Sequence, residues 1–286
     1  MIIAISGATG FVGSHLKAAF EVRRWTVVPL GRDAFRSPDL LRRKLTGADV
    51  VIHLAGAPIA ARWTEDYKKE IRASRVATTH MLVSALGALE SRPKLFISTS
   101  AVGIYPANVP CDESTSPLAG DFLGLVAQDW EREASRTREL NVRTVIFRFG
   151  VVLGTDGGAL QKMLIPFRLG LGGIIGDGKQ TFSWVHINDL VSAFLFVIEH
   201  EALGGVFNLT SPNPTTNAGL TKALGAALHR PAFVPVPTFV LRLQLGEGAD
   251  VLLKGQHVLP RRLLETGFKF RYPRIEEALM DLVGSS

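Results

Sequence analysis

The sequence predicts an α/β protein built on a doubly wound parallel sheet. Three observations lead there. Short apolar runs alternate with helical patterns through the first 150 residues, the signature of a parallel sheet covered by helices. The first run, Ile2-Ile3-Ala4-Ile5-Ser6, meets a glycine turn, Gly7-Ala8-Thr9-Gly10-Phe11-Val12-Gly13, and then a helical pattern from Ser14. With 47% hydrophobic and 20% charged residues among 286, the chain has material for a large core and is not globally disordered.

The glycine turn comes first in the chain and first in the argument. Gly7 suits the tight turn, Gly10 lets backbone approach a pyrophosphate, and Gly13 lets the helix lie close to the strand. The helix that follows presents unpaired N–H groups and the positive end of its dipole to an anion. The spacing is G-x-x-G-x-x-G rather than G-x-G-x-x-G, and glycines also serve purely structural turns. In the strand–turn–helix setting this stretch reads as a dinucleotide site, with Thr9, Phe11 and Val12 at its edge.

Thr26 to Leu30 is the second strand, with Gly31-Arg32 directly after it. An acid at this strand end suits the ribose hydroxyls of NAD, whereas glycine and arginine leave room and charge for the 2′-phosphate of NADP. Arg32 therefore points to NADP(H). Asp33, about 20 residues past the glycine turn, is the competing NAD reading; Arg32 lies nearer the strand end and is preferred. Residues 38–47 form a short helix. Asp49 to Leu54 is a third strand closed by Ala55-Gly56-Ala57, small residues across which an adenosine fits; His53 reads as a packed or hydrogen-bonded core histidine.

Thr64 to Glu90 reads as one long helix, charged in its first half and apolar in its second, with most of the charges on a solvated face. Lys94 to Ser98 is a fourth strand running into Thr99-Ser100. The proline- and glycine-rich loop from Tyr105 to Gly120 has the look of an active-site loop. Asp121 caps a helix running to Leu140, and Val142 to Phe149 is a fifth strand. In the second half a helix starts at Ala159. The glycine-rich stretch 170–178 lacks the Lys-Ser/Thr of a Walker loop. Strands are expected at 180–185, 206–209 and 232–236, and helices at 188–200, 216–229, 238–245 and 274–283. The division expected is a nucleotide domain at 1–150, rejoined by segments near 180–209, and a smaller lobe over the rest of 151–286.

Composition narrows the classes of partner. The net charge is +6, and the basic residues are scattered, as in Arg23-Arg24 and Arg42-Arg43-Lys44, without an aromatic-interleaved stripe. Nucleic acid is not expected as a partner, and an anionic cofactor or substrate accounts for the excess. The one cysteine, Cys111, rules out an intrachain disulfide or a cysteine metal cluster and reads as a small filler. No metal site is expected. No basic segment precedes the first strand and no apolar run reaches membrane-spanning length, so a cytoplasmic protein without a membrane anchor is expected. The two long helices suit either a monomer or a homodimer.

These residues together resemble the extended short-chain dehydrogenase/reductases, and more narrowly an atypical epimerase-family branch, nucleoside-diphosphate-sugar epimerase-like. The resemblance rests on the glycine turn, Trp130-Glu131, Arg148-Phe149-Gly150-Val151-Val152-Leu153-Gly154, Pro166-Phe167-Arg168, Trp184-Val185-His186-Ile187-Asn188-Asp189, Arg230-Pro231 and Gly255-Gln256, and spans nearly the whole chain. It implies a Rossmann domain with a small C-terminal substrate lobe. It also implies NADP(H) against the glycine turn, Arg32, Leu54, Ala55, Glu70, Arg75 and Val152. For Glu70 and Arg75 the residues alone favour solvent.

The departure from the family concerns chemistry. Its enzymes use a tyrosine with a lysine four residues on, one helical turn away on the same face. Here Tyr67 is followed at that distance by Ile71, Tyr105 by Val109 and Tyr272 by Glu276; alignment on Glu131 puts Leu123 and Ala127 at the two positions. Ser100 stands where the family has its substrate-orienting serine, as a substrate contact or as a strand-end hydrogen bonder. Tyr105 and His186 are the candidates for moving a proton, with Asp189 beside His186 either a partner or a helix cap. Two functions follow. One is an oxidoreductase or epimerase acting on a small molecule through a nonstandard relay. The other is a non-catalytic NADPH-binding regulatory or scaffold protein, of the kind linked to cell division.

Overall fold

A computed structural model describes residues 1–284. Six parallel strands form the central sheet: β1 (Ile2–Ser6), β2 (Thr26–Leu30), β3 (Val50–His53), β4 (Leu95–Ala101), β5 (Arg143–Phe149) and β6 (Gly205–Leu209), in the spatial order β2-β1-β3-β4-β5-β6. The helices in chain order are α1 (Phe11–Val22), α2 (Pro38–Leu45), α3 (Glu65–Arg72), α4 (Thr78–Gly87), α5 (Phe122–Ser135), α6 (Gly158–Arg168), α7 (Ile187–Glu199), α8 (Asn217–Ala227), α9 (Thr238–Leu245), α10 (Asp250–Leu253), α11 (Arg261–Glu265) and α12 (Ile275–Val283). The chain leaves β1 for one edge and then crosses back to β3. The switch point therefore lies between β1 and β3, and a crevice opens outside the carboxyl ends of the strands. This is the doubly wound Rossmann arrangement expected from the alternating pattern.

Side chains alternate between the two faces of each strand, so both faces of a buried parallel sheet are apolar. Ile3, Ile5, Ile97, Phe147 and Phe207 pack with Leu16 and Phe20 of α1 and Phe194 of α7. Ala4, Val51, Phe96 and Ile146 turn the other way, onto Leu41 and Leu45 of α2, Leu82 and Leu86 of α4, and Ala134 of α5. A third cluster gathers Leu160, Leu164 and Phe167 of α6, Leu220 and Leu224 of α8, and Ile275 and Leu279 of α12 around Trp184.

Four departures from the sequence reading have local causes. The long helix expected over 64–90 is divided by a π-helical turn at Ala73–Ala77. There Thr78 Oγ1 donates back to the carbonyls of Ser74 and Arg75, and Thr79 Oγ1 to that of Arg75, a competition with the helical ladder that loosens a turn. The helix begun at Asp121 does start with that carboxylate accepting from the Gly124 N–H at 2.9 Å, but its end is a 3₁₀ turn, Arg136–Leu140. The strand expected at 180–185 is two short ones, Thr181–Phe182 antiparallel to Thr215–Thr216 and Trp184–His186 parallel to Val151–Leu153. The strand expected at 232–236 is absent. Pro231, Pro235 and Pro237 remove N–H donors around it, leaving a single bridge from Val236 to Ile175.

The loop expected as an active-site loop is in part a structural strap. Pro110–Cys111 pairs parallel with His257–Val258, and Cys111 is buried, as a filler residue should be. At its start Tyr105 enters a buried polar chain. Arg148 of β5 forks onto Glu131 of α5, Nε to Oε1 and Nη2 to Oε2, both at 2.7 Å. Its Nη1 donates to the Tyr105 hydroxyl at 2.6 Å, which donates to Asn208 Oδ1 of β6 at 2.8 Å, while Asn208 Nδ2 donates to the Leu259 carbonyl. One run of bonds thus joins α5, two strands, the strap and the C-terminal arm. Removing one partner of a buried ion pair strands a charge, at a cost of ~3–5 kcal/mol. Glu131→Ala is expected to lose stability of that order in urea unfolding, and the double variant Glu131→Leu/Arg148→Met to lose less than Glu131→Ala alone. Additive losses would place the cost elsewhere.

Candidate functional site

The site starts at the carboxyl end of β1. Gly7 has φ +74°, left-handed backbone that favours glycine, and its carbonyl accepts from the Gly10 N–H at 3.0 Å. Gly13 is fixed by contact: a Cβ there would lie 2.1 Å from the Gly7 oxygen. Gly10 differs, because its Cβ would meet only the Gly7 oxygen, at 3.3 Å. It is the N-cap of α1 and supplies no side-chain acceptor to the first N–H groups of the helix. A bare helix start beside open space is the cradle an anionic pyrophosphate fits.

The neighbouring strand end is held from beneath. Ser6 Oγ lies 2.6 Å from His53 Nδ1 and accepts from the N–H groups of Leu54 and Ala55 at 3.2 and 3.3 Å. His53 Nε2 reaches Thr78 Oγ1 at 3.3 Å, so the histidine is a satisfied core residue, as its setting suggested. Arg75 projects from the π-helical turn, donates to the Ala57 carbonyl at 2.9 Å and to the Ile71 carbonyl, and lies over the Trp130 ring at 5.5 Å. A Cβ on Gly56 would sit 3.1 Å from its guanidinium carbon. Arg75 is therefore packed against the Leu54–Ala57 segment, not solvated as its charged neighbours suggested, whereas Glu70 is exposed on α3.

At the end of β2 the two rivals separate. Asp33 folds back to Lys44, Oδ2 to Nζ at 2.9 Å, and this bond with its charge lowers the carboxyl below its ordinary value. Arg32 is exposed and has no ion-pair partner among the described residues. The free charge at this edge is the arginine.

Ser100 ends β4. Along the strand it shares a face with Phe96, which packs toward α4 and α5, and it stands in register with Arg148, which reaches α5. It is 3% exposed and its Oγ has no partner among the described residues. On α5 the half-buried Leu123 and the buried Ala127 occupy the tyrosine and lysine positions.

Both proton-transfer candidates are corrected by their surroundings. Tyr105 is fully buried, its hydroxyl is used twice, and burial pushes it up to about 12 against the pull of Arg148. It ties the fold together and does not face a crevice. His186 is fully buried, stacks on Tyr272 with ring centroids 4.0 Å apart, and caps α7 through Nδ1, which accepts from the Asn188 N–H. Burial lowers it to about 4 despite the opposing Asp281 carboxylate 3.3 Å away. Asp189 is then neither cap nor relay partner: its two oxygens accept from the Arg271 and Tyr272 N–H groups.

One feature of the site escaped the sequence. A Cβ on Gly154 would meet Phe11 Cζ, and one on Gly157 would meet Phe11 Cγ, each at 2.5 Å. The ring from the glycine turn is seated in a glycine pocket opened by the second half of the chain, next to Val152. His15 of α1 adds a 2.8 Å contact from Nε2 to Asp156. The clustered glycines at 154–158 were its signal, but they read only as the opening of α6.

Residues 3–210 match the model of the NAD dependent epimerase/dehydratase family. The chain belongs to that family. Residues 236–282 match a second model, a domain of unknown function designated DUF1731. This pairing bears out the resemblance to the atypical, epimerase-branch extended short-chain dehydrogenases. Epimerase family protein SDR39U1 of Mus musculus is 40% identical over 293 residues, covering 99% of this chain and 100% of its own. The chloroplastic SDR39U1 homolog of Arabidopsis thaliana is 36% identical over 298 residues, covering 98% and 86%. The crystal structure of human SDR39U1, isoform 2, with NADPH superposes with a TM-score of 0.91 at 35% identity and full coverage of both chains. The UDP-glucuronic acid 4-epimerase of Bacillus cereus, 18% identical with a TM-score of 0.81 and covering 100% and 98%, shares the fold. No described helix is long and apolar enough to cross a membrane.

Two predictions follow from this geometry. Gly13→Ala forces Cβ into the Gly7 carbonyl and is expected to cost ~1–3 kcal/mol in thermal unfolding, whereas Gly10→Ala is expected to keep its Tm and weaken dinucleotide binding in a fluorescence titration. The second concerns pH. Burial holds His53 near 3 and His186 near 4, so both are neutral in the folded chain. The unfolded chain takes up their protons below about pH 6.5, so the stability they confer is complete above that pH and falls as pH drops, by up to about 2 kcal/mol each between pH 7 and pH 5. Urea midpoints at the two pH values check this, and His186→Gln is expected to flatten the dependence.

Proposed function

We propose that the protein is an NADP(H)-dependent oxidoreductase that acts on a small carbonyl compound and holds the substrate oxygen with Ser100. The observation that carries this reading is the buried, unpartnered Ser100 Oγ at the end of β4. A hydroxyl desolvated without a partner costs about 1–3 kcal/mol, and a substrate oxygen would complete it.

The cofactor half rests on the cradle at Gly10 and on the free Arg32 beside an engaged Asp33. In this reading the N–H groups at the start of α1, with the Gly7–Gly13 turn including Thr9, hold the pyrophosphate. Arg32 meets the 2′-phosphate, Leu54, Ala55 and Gly56 border the adenosine, and Val152 borders the nicotinamide end. Arg75 acts through the Gly56 backbone that it buttresses. Glu70, exposed on the same helical segment, stays at the outer edge of the site. The human relative crystallised with NADPH supports the choice of NADP(H) over NAD.

When bound, the nicotinamide supplies a hydride to the substrate carbon. Ser100 donates to the carbonyl oxygen and orients it. Leu123 and Ala127 offer no proton, and Tyr105 and His186 are held in the core. The proton that completes the alcohol is therefore drawn from water at the crevice mouth. Epimerisation of a sugar would require a base to take and return a hydroxyl proton, and no side chain at the tyrosine and lysine positions does this. That favours simple reduction or oxidation over epimerisation.

The reading is tested by following NADPH absorbance with a panel of aldehydes, ketones and sugar nucleotides. Ser100→Ala is expected to lower kcat/KM by about 10–100-fold, the worth of one hydrogen bond made in the transition state, with an unchanged or raised Tm because an orphaned hydroxyl is removed. Tyr105→Phe is expected to lower Tm and to leave kcat within a few-fold. Arg32→Ala is expected to weaken NADPH about 10–100-fold and NADH little. Tight NADPH binding with no turnover on any carbonyl would sink the oxidoreductase reading and leave a binding protein.

A further inference from the structure

One helix near the C-terminal end of the chain presents an unusual edge. Helix α9, Thr-Phe-Val-Leu-Arg-Leu-Gln-Leu, is dominated by apolar side chains, yet none of its residues is buried. Val240, Leu241 and Leu245 are half-covered and share its inner side, while Phe239 and Leu243 are 69% and 76% exposed. Its end is fastened to the nucleotide domain: the Leu245 carbonyl accepts from the Trp63 N–H at 3.4 Å, and a Cβ on Gly248 would lie 2.2 Å from the Ala61 oxygen. Trp63 meets Phe122 edge-on at 5.4 Å, and Phe122 adjoins Leu123, the residue at the vacated tyrosine position. Trp63, Phe122 and Leu123 continue the apolar side chains of α9, with the Lys68 ammonium over the Phe122 ring at 5.7 Å, and Leu123 Cβ would lie 4.0 Å from a Cβ on Gly103, three residues beyond Ser100.

Apart from Arg62, the cations along this edge lie beside carboxylates. Lys68 is paired with Glu247 at 2.6 Å, and Arg242 and Lys254 are both held by Asp250, at 3.5 and 2.8 Å. A sugar nucleotide brings a diphosphate that takes paired, charge-assisted bonds. Here the cations of the closing segment are spent on its own carboxylates, and Arg62, exposed beside Trp63, is a single guanidinium.

We infer that the substrate is a neutral, largely apolar carbonyl compound, bound with its chain along α9, Trp63, Phe122 and Leu123 and its oxygen at Ser100. The inference rests on the oxidoreductase reading for the reaction but not for the binding. The substrate covers apolar side chains that the protein alone leaves open, and the burial of each further methylene adds affinity.

The test uses the full chain loaded with NADPH. Straight-chain aldehydes from propanal to decanal are compared by kcat/KM. The matching alcohols, which NADPH cannot reduce, are titrated by tryptophan fluorescence or ligand-observed NMR, with UDP-glucose as the polar comparator. Affinity and kcat/KM are expected to rise roughly fourfold per methylene until the cleft is filled, with no competition from UDP-glucose. Leu241→Glu is expected to abolish the gain in affinity and in kcat/KM with chain length. Flat dependence on length in the unsubstituted protein, or displacement of decanol by UDP-glucose, would overturn the proposal. Alcohol binding that rises with length while no aldehyde consumes NADPH supports the apolar site and overturns the oxidoreductase reading alone.

Discussion

The fork of Arg148 onto Glu131 is the interaction on which the rest of the site depends. A guanidinium 6% exposed is tolerable only because every face of it is used: two bonds to a carboxylate, one to a tyrosine hydroxyl and the Tyr105 ring beneath it. The pair fixes α5 against the sheet and so sets where Leu123 and Ala127 stand relative to Ser100. It also takes Tyr105 out of circulation, because this buried hydroxyl accepts from Arg148 and gives its one proton to Asn208. The absent tyrosine–lysine pair and the presence of a spare tyrosine nearby are thus not compensating facts. The spare tyrosine belongs to the scaffold.

A second constraint joins the two halves of the chain at the glycine turn. Gly13 brings α1 down on the turn, and Phe11, the residue between Gly10 and Val12, seats its ring among Gly154, Gly157 and Gly158. The same loop carries Asp156 to His15. The start of α1 therefore cannot shift without disturbing the start of α6, so the glycine turn is shaped by both halves of the chain.

Membership of the NAD dependent epimerase/dehydratase family accounts for the cofactor side but leaves the chemistry to be argued from this chain's own residues. Those residues provide one desolvated hydroxyl, an apolar wall and no side-chain base at the family's tyrosine and lysine positions. Such a site is poor equipment for moving a sugar proton back and forth. The reduction we propose asks less of it, since orientation and desolvation of a carbonyl would do most of the work and water would close the proton balance.

The sequence by itself determined the elements whose signals are local. Alternation of strand and helix marked the parallel sheet, glycine at fixed spacing marked the tight turn after β1, and Asp121 marked a helix start by a bond to a residue three positions on. The missing lysine at every tyrosine was a matter of counting. Tertiary structure decided whatever depended on partners far away in the chain. The sequence prefers Arg32 over Asp33 only by its place nearer the strand end, and the fold adds that Asp33 is engaged by Lys44 while Arg32 has no ion-pair partner among the described residues. Arg75 reads as a solvated charge until Trp130 and the Ala57 carbonyl are placed around it. Tyr105 and His186 carry the right chemistry for a relay, but Asn208, Arg148 and Tyr272 bury them, and a side chain's chemistry becomes function only where the fold leaves it open. Ser100 is a different case: a common strand-end residue whose hydroxyl the folded chain buries and leaves without a partner among the described residues.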